Sequence, residues 1–469
     1  MKLFALVNRV WGSAVAWAIV VNAIRVGGLV FVLPLQARHL PSTHLGLWYV
    51  FINLGSLALL ADAGFAPTVS RCASYLWGGA TEILPFGVAN VSGEPGRKSE
   101  PNLGLLEKLA HTMRWFYLAL AAVMGVLLVF GGGAWIWSKT AGLEGMTGLR
   151  AAWLFYSAGC VVNIAGSLWP ALLTGIGGVR QAQQILAIGT GCNYAITATG
   201  LVCGAGLWSA VAGNVFAGIF VRSAGRAKYF SFSGTRHLPG RGAVSWSLLR
   251  CMWPTAWRTG LVTLGGFLIV NANTLTCSRH LGLAATASYG LSLQCVGAVG
   301  GLCAVWVLMK LPEIGRLRAT GNHGAIARLF ASRMRLVILC YAAGAAVMLL
   351  AGSRFLELIH AKSTLLNKPT LAIMLLVTGL EMHHSLYGSL VLTENRNPFV
   401  MPALVSGFCV AVGGWLFAPQ FGYWGLLLSQ GLVQAAFNNW WTVWRGLQGL
   451  GISFPQFMRL VIFLPARSR

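Results

Sequence analysis

A chain of 469 residues that is 56% hydrophobic, only 9% charged and has a mean hydropathy of +0.69 is not a soluble globular protein; such proteins carry about a quarter charged residues. Most of its apolar surface has to face lipid. The excess of 34 Lys+Arg over 10 Asp+Glu does not mark a nucleic-acid protein, because the basic residues lie between apolar runs and form no single polar face. The 10 cysteines contain no CxxC pair and sit mostly inside apolar runs, where cysteine acts as a small hydrophobe, so no disulfide framework, zinc site or other cofactor is expected.

The first residues, MKLFALVNRVW, are basic and then apolar, with no cleavage site before Arg25, and read as a retained first span. A span needs about 20 apolar residues. By that rule the first half holds spans at 11–35, 46–66, 115–137, 151–174, 182–203 and 206–222. The second half holds spans at 251–277, 284–309, 335–353, 369–393, 399–418 and 422–443. Two polar stretches interrupt the series. Residues 80–109 read as a partly disordered loop, and residues 223–250, with Gly234, Pro239, Gly240 and Gly242, as a flexible linker.

Loop charge gives the orientation. With strict alternation of spans, 25 of the 34 basic residues fall on one side and seven on the other, leaving only Arg25 and Arg258 within spans. Both ends of the chain are therefore expected in the cytoplasm. Arg38-His39-Leu40 after span 1 is matched by Arg279-His280-Leu281 after span 7, each followed by an aromatic, Trp48 or Tyr289, in the next run. The expectation is an all-α, polytopic membrane protein of about 12 helices in two parallel six-helix lobes. The lobes are residues 1–222 and 251–443, joined by the linker 223–250 and followed by a basic tail, 444–469.

The stretch from Leu33 to Arg71 resembles the opening two spans of polysaccharide flippases of the Wzx type. These belong to the multidrug/oligosaccharidyl-lipid/polysaccharide exporter superfamily, whose fold is the MATE-like one. The resemblance lies in the arginine-leucine hinge, in Leu45-Gly46-Leu47-Trp48, and in Asp62-Ala63-Gly64-Phe65 with Pro67 and Arg71. A second part runs from Glu381-Met382-His383-His384-Ser385 into Leu392-Thr393-Glu394-Asn395-Arg396-Asn397-Pro398-Phe399. It implies a flippase of the bacterial inner membrane that moves a lipid-pyrophosphate-linked oligosaccharide during polysaccharide biosynthesis, by alternating access. The implied partners are that lipid-linked substrate, the bilayer, and polymerase or export machinery. Many relatives carry an acid in span 7 before the hinge; this chain has Asn271 and Asn273, so ion coupling through that helix lacks its acid.

Ionisable residues inside spans are costly, about 2.5–3.5 kcal/mol on insertion scales, and are the first functional candidates. Arg25 and Arg258 would form a ladder at two depths, their guanidinium forks suited to phosphate oxygens; the bland alternative is carbonyl capping or pairing with Asp62. Asp62, the only aspartate, couples an ion, ends a helix or pairs with Arg71. Glu381 and His384 share a helix face and read as a proton-responsive pair or a packed, hydrogen-bonded one; as a metal site they offer too few ligands. Trp48, Tyr49, Trp253 and Trp257 stack on sugars or belong to an interfacial belt, as Trp440, Trp441 and Trp444 do. A cation or multidrug antiporter of the same superfamily is disfavoured by the two arginines. A membrane glycosyltransferase or polymerase is disfavoured by short outer loops whose acids are Glu144 and Glu357. No nucleotide-binding fingerprint appears.

Overall fold

The computed structural model describes residues 12–60, 62, 64–84, 100–233, 244–394 and 397–463. Of the features read from sequence, Ala63, Asn395, Arg396 and the linker residues Gly234, Pro239, Gly240 and Gly242 lie outside the described residues, as do the loop and tail bases Lys2, Arg9, Arg97, Lys98, Arg236, Arg241, Arg467 and Arg469 and half of the 80–109 loop.

Apolar runs in lipid must satisfy their own backbone, and among the described residues no β-sheet forms. The helices are α1 (Ala14–His39), α2 (Ser42–Leu60), α3 (Phe65–Trp77), α4 (Leu103–Val126), α5 (Gly133–Thr140), α6 (Met146–Gly175), α7 (Val179–Val202), α8 (Leu207–Ser233) and α9 (Trp246–Val270). There follow α10 (Ala272–His280), α11 (Leu283–Leu308), α12 (Leu311–Ala319), α13 (His323–Leu358), α14 (Lys368–Leu392), α15 (Val400–Phe421), α16 (Tyr423–Ala436), α17 (Asn438–Gln448) and α18 (Phe454–Phe463). Among the described residues nine helical stretches are long and apolar enough to cross a membrane, and they overlap nine of the twelve expected spans. Expected spans 2, 10 and 12 fall on α2 and the start of α3, on α14, and on α16 with α17, which are not among the nine; span 2 ends early, at Leu60.

Both Arg-His pairs close a helix, α1 and α10, and Trp48 and Tyr289 each fall seven residues into the next one. Part of the stretch expected as linker is helix. α8 continues to Ser233 with Tyr229 fully buried, so residues 223–233 are packed helix and not flexible chain. Likewise the 80–109 loop is ordered at its end, where Asn102 caps α4 at the Leu105 amide and ties back to the Ala80 carbonyl at 3.0 Å. The tail contains α18, whose Phe457 is fully buried.

The chain divides into two compact units. Unit 1 comprises residues 1–35 and 51–263. Its centre is α6 and α8, brought close by small residues: a Cβ on Gly159 would meet Val215 at 2.9 Å, and one on Gly218 would meet Asn163 at 2.8 Å. Trp153 is fully buried there, edge-on to Phe51 at 5.0 Å. Its indole N–H donates to the Leu128 carbonyl at 3.2 Å, serving an acceptor in the π-helical segment Leu127–Gly132 that joins α4 to α5. The unit also takes in the first two thirds of α9, where Ser245 N–H donates to Thr112 at 3.1 Å and Trp253 packs near Phe65.

Unit 2 comprises residues 36–50 and 264–469. Residues 36–50 belong to it through contacts of their own: the Lys362 N–H donates to the Ala37 carbonyl at 2.7 Å, and Tyr49 lies on Gly290. Phe330, Tyr387 and Phe457 form its aromatic centre, with ring centroids 5.0 to 5.8 Å apart. Glu394, just past α14, is gripped by Arg318 of α12 at 3.3 Å and Arg445 of α17 at 3.4 Å, which pins three helices at one end of the unit. Segments 36–50 and 251–263 thus group across the lobe boundaries expected from sequence.

Candidate functional site

In unit 1 the two intramembrane arginines are exposed, and among the described residues neither guanidinium makes a hydrogen bond or ion pair. Arg25 is held by its backbone instead. The Tyr194 hydroxyl of α7 donates to the Arg25 carbonyl at 3.2 Å. This is possible because Gly28 has no side chain: a Cβ there would fall 2.1 Å from the Tyr194 ring. The sequence Arg25-Val26-Gly27-Gly28 therefore fixes the helix while leaving the charged group free. Arg258 follows Trp257, and its guanidinium carbon lies 5.9 Å from that ring, close enough for a cation–π contact. Trp257 is 42% exposed.

Asp62 is also in unit 1, and it does not pair with Arg71 or with either intramembrane arginine. Its carboxylate accepts the hydroxyl of the fully buried Tyr117, with Ser167 and the Ala66 N–H facing it as well. Its backbone carbonyl accepts from Phe65 N–H at 2.8 Å where α3 begins. The side chain joins α4 and α6 to the start of α3, a connection that no local spacing announces.

In unit 2 Trp48 and Tyr49 are buried, 8% and 1% exposed. Tyr49 fills the space left by Gly290, where a Cβ would fall 2.3 Å from the ring. These two of the expected sugar-stacking aromatics present no free face in this conformation; Trp257 does.

Glu381 and His384 do meet, with Nε2 3.6 Å from Oε1. His384 Nδ1 is 2.8 Å from Oδ1 of Asn439. With an amide oxygen accepting there, Nδ1 carries hydrogen, and a neutral ring turns its Nε2 lone pair toward the carboxylate. The pair becomes attractive when one proton is added to it. Gln430 and Gln434 flank the carboxylate. They begin a row of amides that the sequence reading missed: Asn273 donates to Gln430 and to the Leu426 carbonyl, both at 3.3 Å, and Asn438 donates to Gln434 at 2.7 Å and Ser406 at 3.0 Å. Asn273 is fully buried one residue into α10, and Asn438 starts α17; each stands at a break in a membrane helix. The available signal was Gln430, Gln434 and Asn438 at four-residue spacing, one face of an apolar helix.

Beside this row α14, α17 and α18 enclose a cavity of about 950 Å³ lined by His383, Trp440, Trp441, Trp444 and Phe454. The three tryptophans expected in an interfacial belt form its wall.

No family model matches the chain, and no curated protein matches it. Solved structures do. The lipid II flippase MurJ in an inward closed conformation superposes with TM-score 0.62 at 10% identity, covering 96% of this chain and 90% of that one. A multidrug resistance MATE family transporter of the MOP superfamily superposes in its inward-facing conformation with TM-score 0.58 at 13% identity, covering 94% and 100%. Its outward-facing conformation gives 0.52 at 13% identity, covering 95% and 98%. The fold is that of the MOP-superfamily transporters. The all-α, polytopic, MATE-like architecture expected from sequence is the one found, and the chain is a multi-pass membrane protein. The neighbours are transporters and a lipid flippase, not enzymes.

Proposed function

We propose that this protein is a transporter of the MOP superfamily and a flippase of the Wzx type, carrying a lipid-pyrophosphate-linked oligosaccharide across the bacterial inner membrane by alternating access. The observation that carries the reading is the pair of exposed arginines, Arg25 and Arg258, on apolar helices and without a carboxylate partner among the described residues. A free guanidinium in a span is tolerated where it meets water or an anion, and its fork matches phosphate oxygens. Such a pair opposes a cationic drug as cargo. Trp257 serves the sugar. Both chain ends are cytoplasmic, and polymerase or export machinery consumes the product outside. The deciding experiment is a leaflet-resolved assay in vesicles holding the purified protein. Transfer of a lipid-linked oligosaccharide supports the reading; transfer of an organic cation in its place removes it.

Orientation has its own check. A reporter fused after Gly321 should be cytoplasmic, and one inserted among residues 361–366 should be external. Equal accessibility of the two sites would remove the basis of the topology.

Glu381 and His384 are the coupling pair in this reading. Glu381→Gln removes the group that shares a proton while keeping its shape and the amide neighbours. The variant should alter the dependence of flipping rate on external pH, with little change in apparent substrate affinity. His384→Ala should act in the same direction. Curves that keep the wild-type shape and differ only in height would make the pair structural and leave consumption of cargo as the driving force.

A further inference from the structure

The last three turns of α8 carry a basic site that the flippase reading does not use. Arg222 and Arg226 are one helical turn apart and so share a face. Among the described residues neither makes a hydrogen bond or ion pair, and like charges so placed repel. Both are nevertheless held in position. The Arg222 stem lies against Gly166 of α6, where a Cβ would fall 2.9 Å from the Arg222 Cβ. The Arg226 guanidinium carbon sits 5.9 Å from the centroids of both Trp169 and Phe230, two rings that are themselves 5.6 Å apart. Next to the arginines is a cavity of about 530 Å³ whose apolar walls are Val162, Ile219 and Phe230. Ser223, which also lines it, donates its hydroxyl to the Ile219 carbonyl at 2.7 Å. The unused polar capacity is cationic.

Depth identifies the ligand. From Leu207 to Val221 the helix is uncharged, about 22 Å at the rise of roughly 1.5 Å per residue, and Arg222, Arg226 and Lys228 follow. Arg226 stands about 28 Å along the helix from Leu207 by the same rise, close to the roughly 30 Å of bilayer hydrocarbon, so the arginine pair brackets the level where that layer ends and the phosphates begin. Ile219, one turn inward, is 52% exposed, as a lipid-facing residue is.

We propose that Arg222 and Arg226 form a binding site for an anionic membrane phospholipid, both forks engaging its phosphodiester and the Val162, Ile219 and Phe230 wall receiving the first methylenes of a chain. Two unneutralised positive charges favour a headgroup with net negative charge; a zwitterionic lipid brings a cation that the arginines repel. The site lies wholly within unit 1 and is independent of cargo identity.

The test is native mass spectrometry of the full-length, delipidated protein titrated with phosphatidylglycerol or phosphatidylcholine. The wild type should hold one phosphatidylglycerol more tightly than phosphatidylcholine. R222Q/R226Q should lose that lipid or bind it about tenfold more weakly, the loss of at least one charge-assisted contact, and R222K/R226K should fall between. An unchanged lipid count in the glutamine variant overturns the proposal. Should that variant fail to accumulate, equal affinity of the wild type for the two phospholipids overturns it equally. A third arm adds a polyprenyl diphosphate. If this displaces phosphatidylglycerol at lower concentration, the site belongs to a lipid-linked cargo and the phospholipid assignment is wrong.

Discussion

Arg25→Ala should reduce flipping of a lipid-linked diphosphate to the background of protein-free vesicles while the protein accumulates in the membrane near its normal level. Hydrogen bonds to charged groups are worth about 1.5–3 kcal/mol each, and a guanidinium fork makes two. Their loss amounts to two to four orders of magnitude in rate, at roughly 1.4 kcal/mol per factor of ten, if the transition state uses both. A folding defect is not expected, because the tether from Tyr194 ends on the backbone carbonyl of residue 25, which alanine keeps. Arg25→Lys should recover part of the rate, since it restores the charge but not the fork. Arg258→Ala should cost less, because that guanidinium already shares itself with the Trp257 ring. Transport rate and membrane content are measured together for all four proteins. If Arg25→Ala fails to accumulate, the arginine is structural and the flippase reading loses its main support.

What the sequence made legible was whatever apolar run length and loop charge encode. The helices, the Arg-His closures of α1 and α10, and the lone arginines at 25 and 258 all followed from these. Side-chain pairings across helices did not follow. For Asp62 local spacing offers Arg71, nine residues along the chain, as one of several readings, yet its partner Tyr117 is 55 residues away on another helix. Packing chose it, and no local spacing records that. Trp48 and Tyr49 looked like a stacking platform because aromatics near a span end serve either sugars or lipid. For Tyr49 the deciding fact is Gly290, a residue whose missing side chain makes room for its ring. Asn273 was read as the loss of an acid. In the fold it is a buried node joining α10 to α16, and it became visible only when the breaks in both membrane helices were located. Glu381 and His384 were legible because their spacing of three is local.

The glycines of the same opening stretch carry the second large effect. In Leu45-Gly46-Leu47-Trp48 a Cβ on Gly46 would lie 1.9 Å from the Leu283 carbonyl oxygen, and in Asp62-Ala63-Gly64-Phe65 a Cβ on Gly64 would lie 1.8 Å from that of Ala256. Each glycine seats one helix directly on the backbone of another, Gly46 within unit 2 and Gly64 within unit 1. A backbone oxygen has no rotamer by which to escape, so alanine must push whole helices apart. Such overpacking costs about 3 kcal/mol, the upper part of its usual range, or more. Gly46→Ala and Gly64→Ala should therefore lower the melting temperature of the detergent-purified protein by several degrees, and accumulation should fall with it. Gly27→Ala and Gly266→Ala are the controls, because nothing lies within 4 Å of a Cβ at either position. Alanine also favours a helix over glycine by about 0.8–1.0 kcal/mol, so the controls should melt at or above the wild-type temperature. The comparison separates close approach from propensity: Gly27, Gly46 and Gly266 lie inside helices and gain the same intrinsic preference, Gly64 caps the start of α3 and gains none, and only Gly46 and Gly64 meet a carbonyl. If Gly46→Ala and Gly64→Ala melt with the controls, the helices do not touch at these residues, and the glycines of the stretch have to be explained by something other than packing.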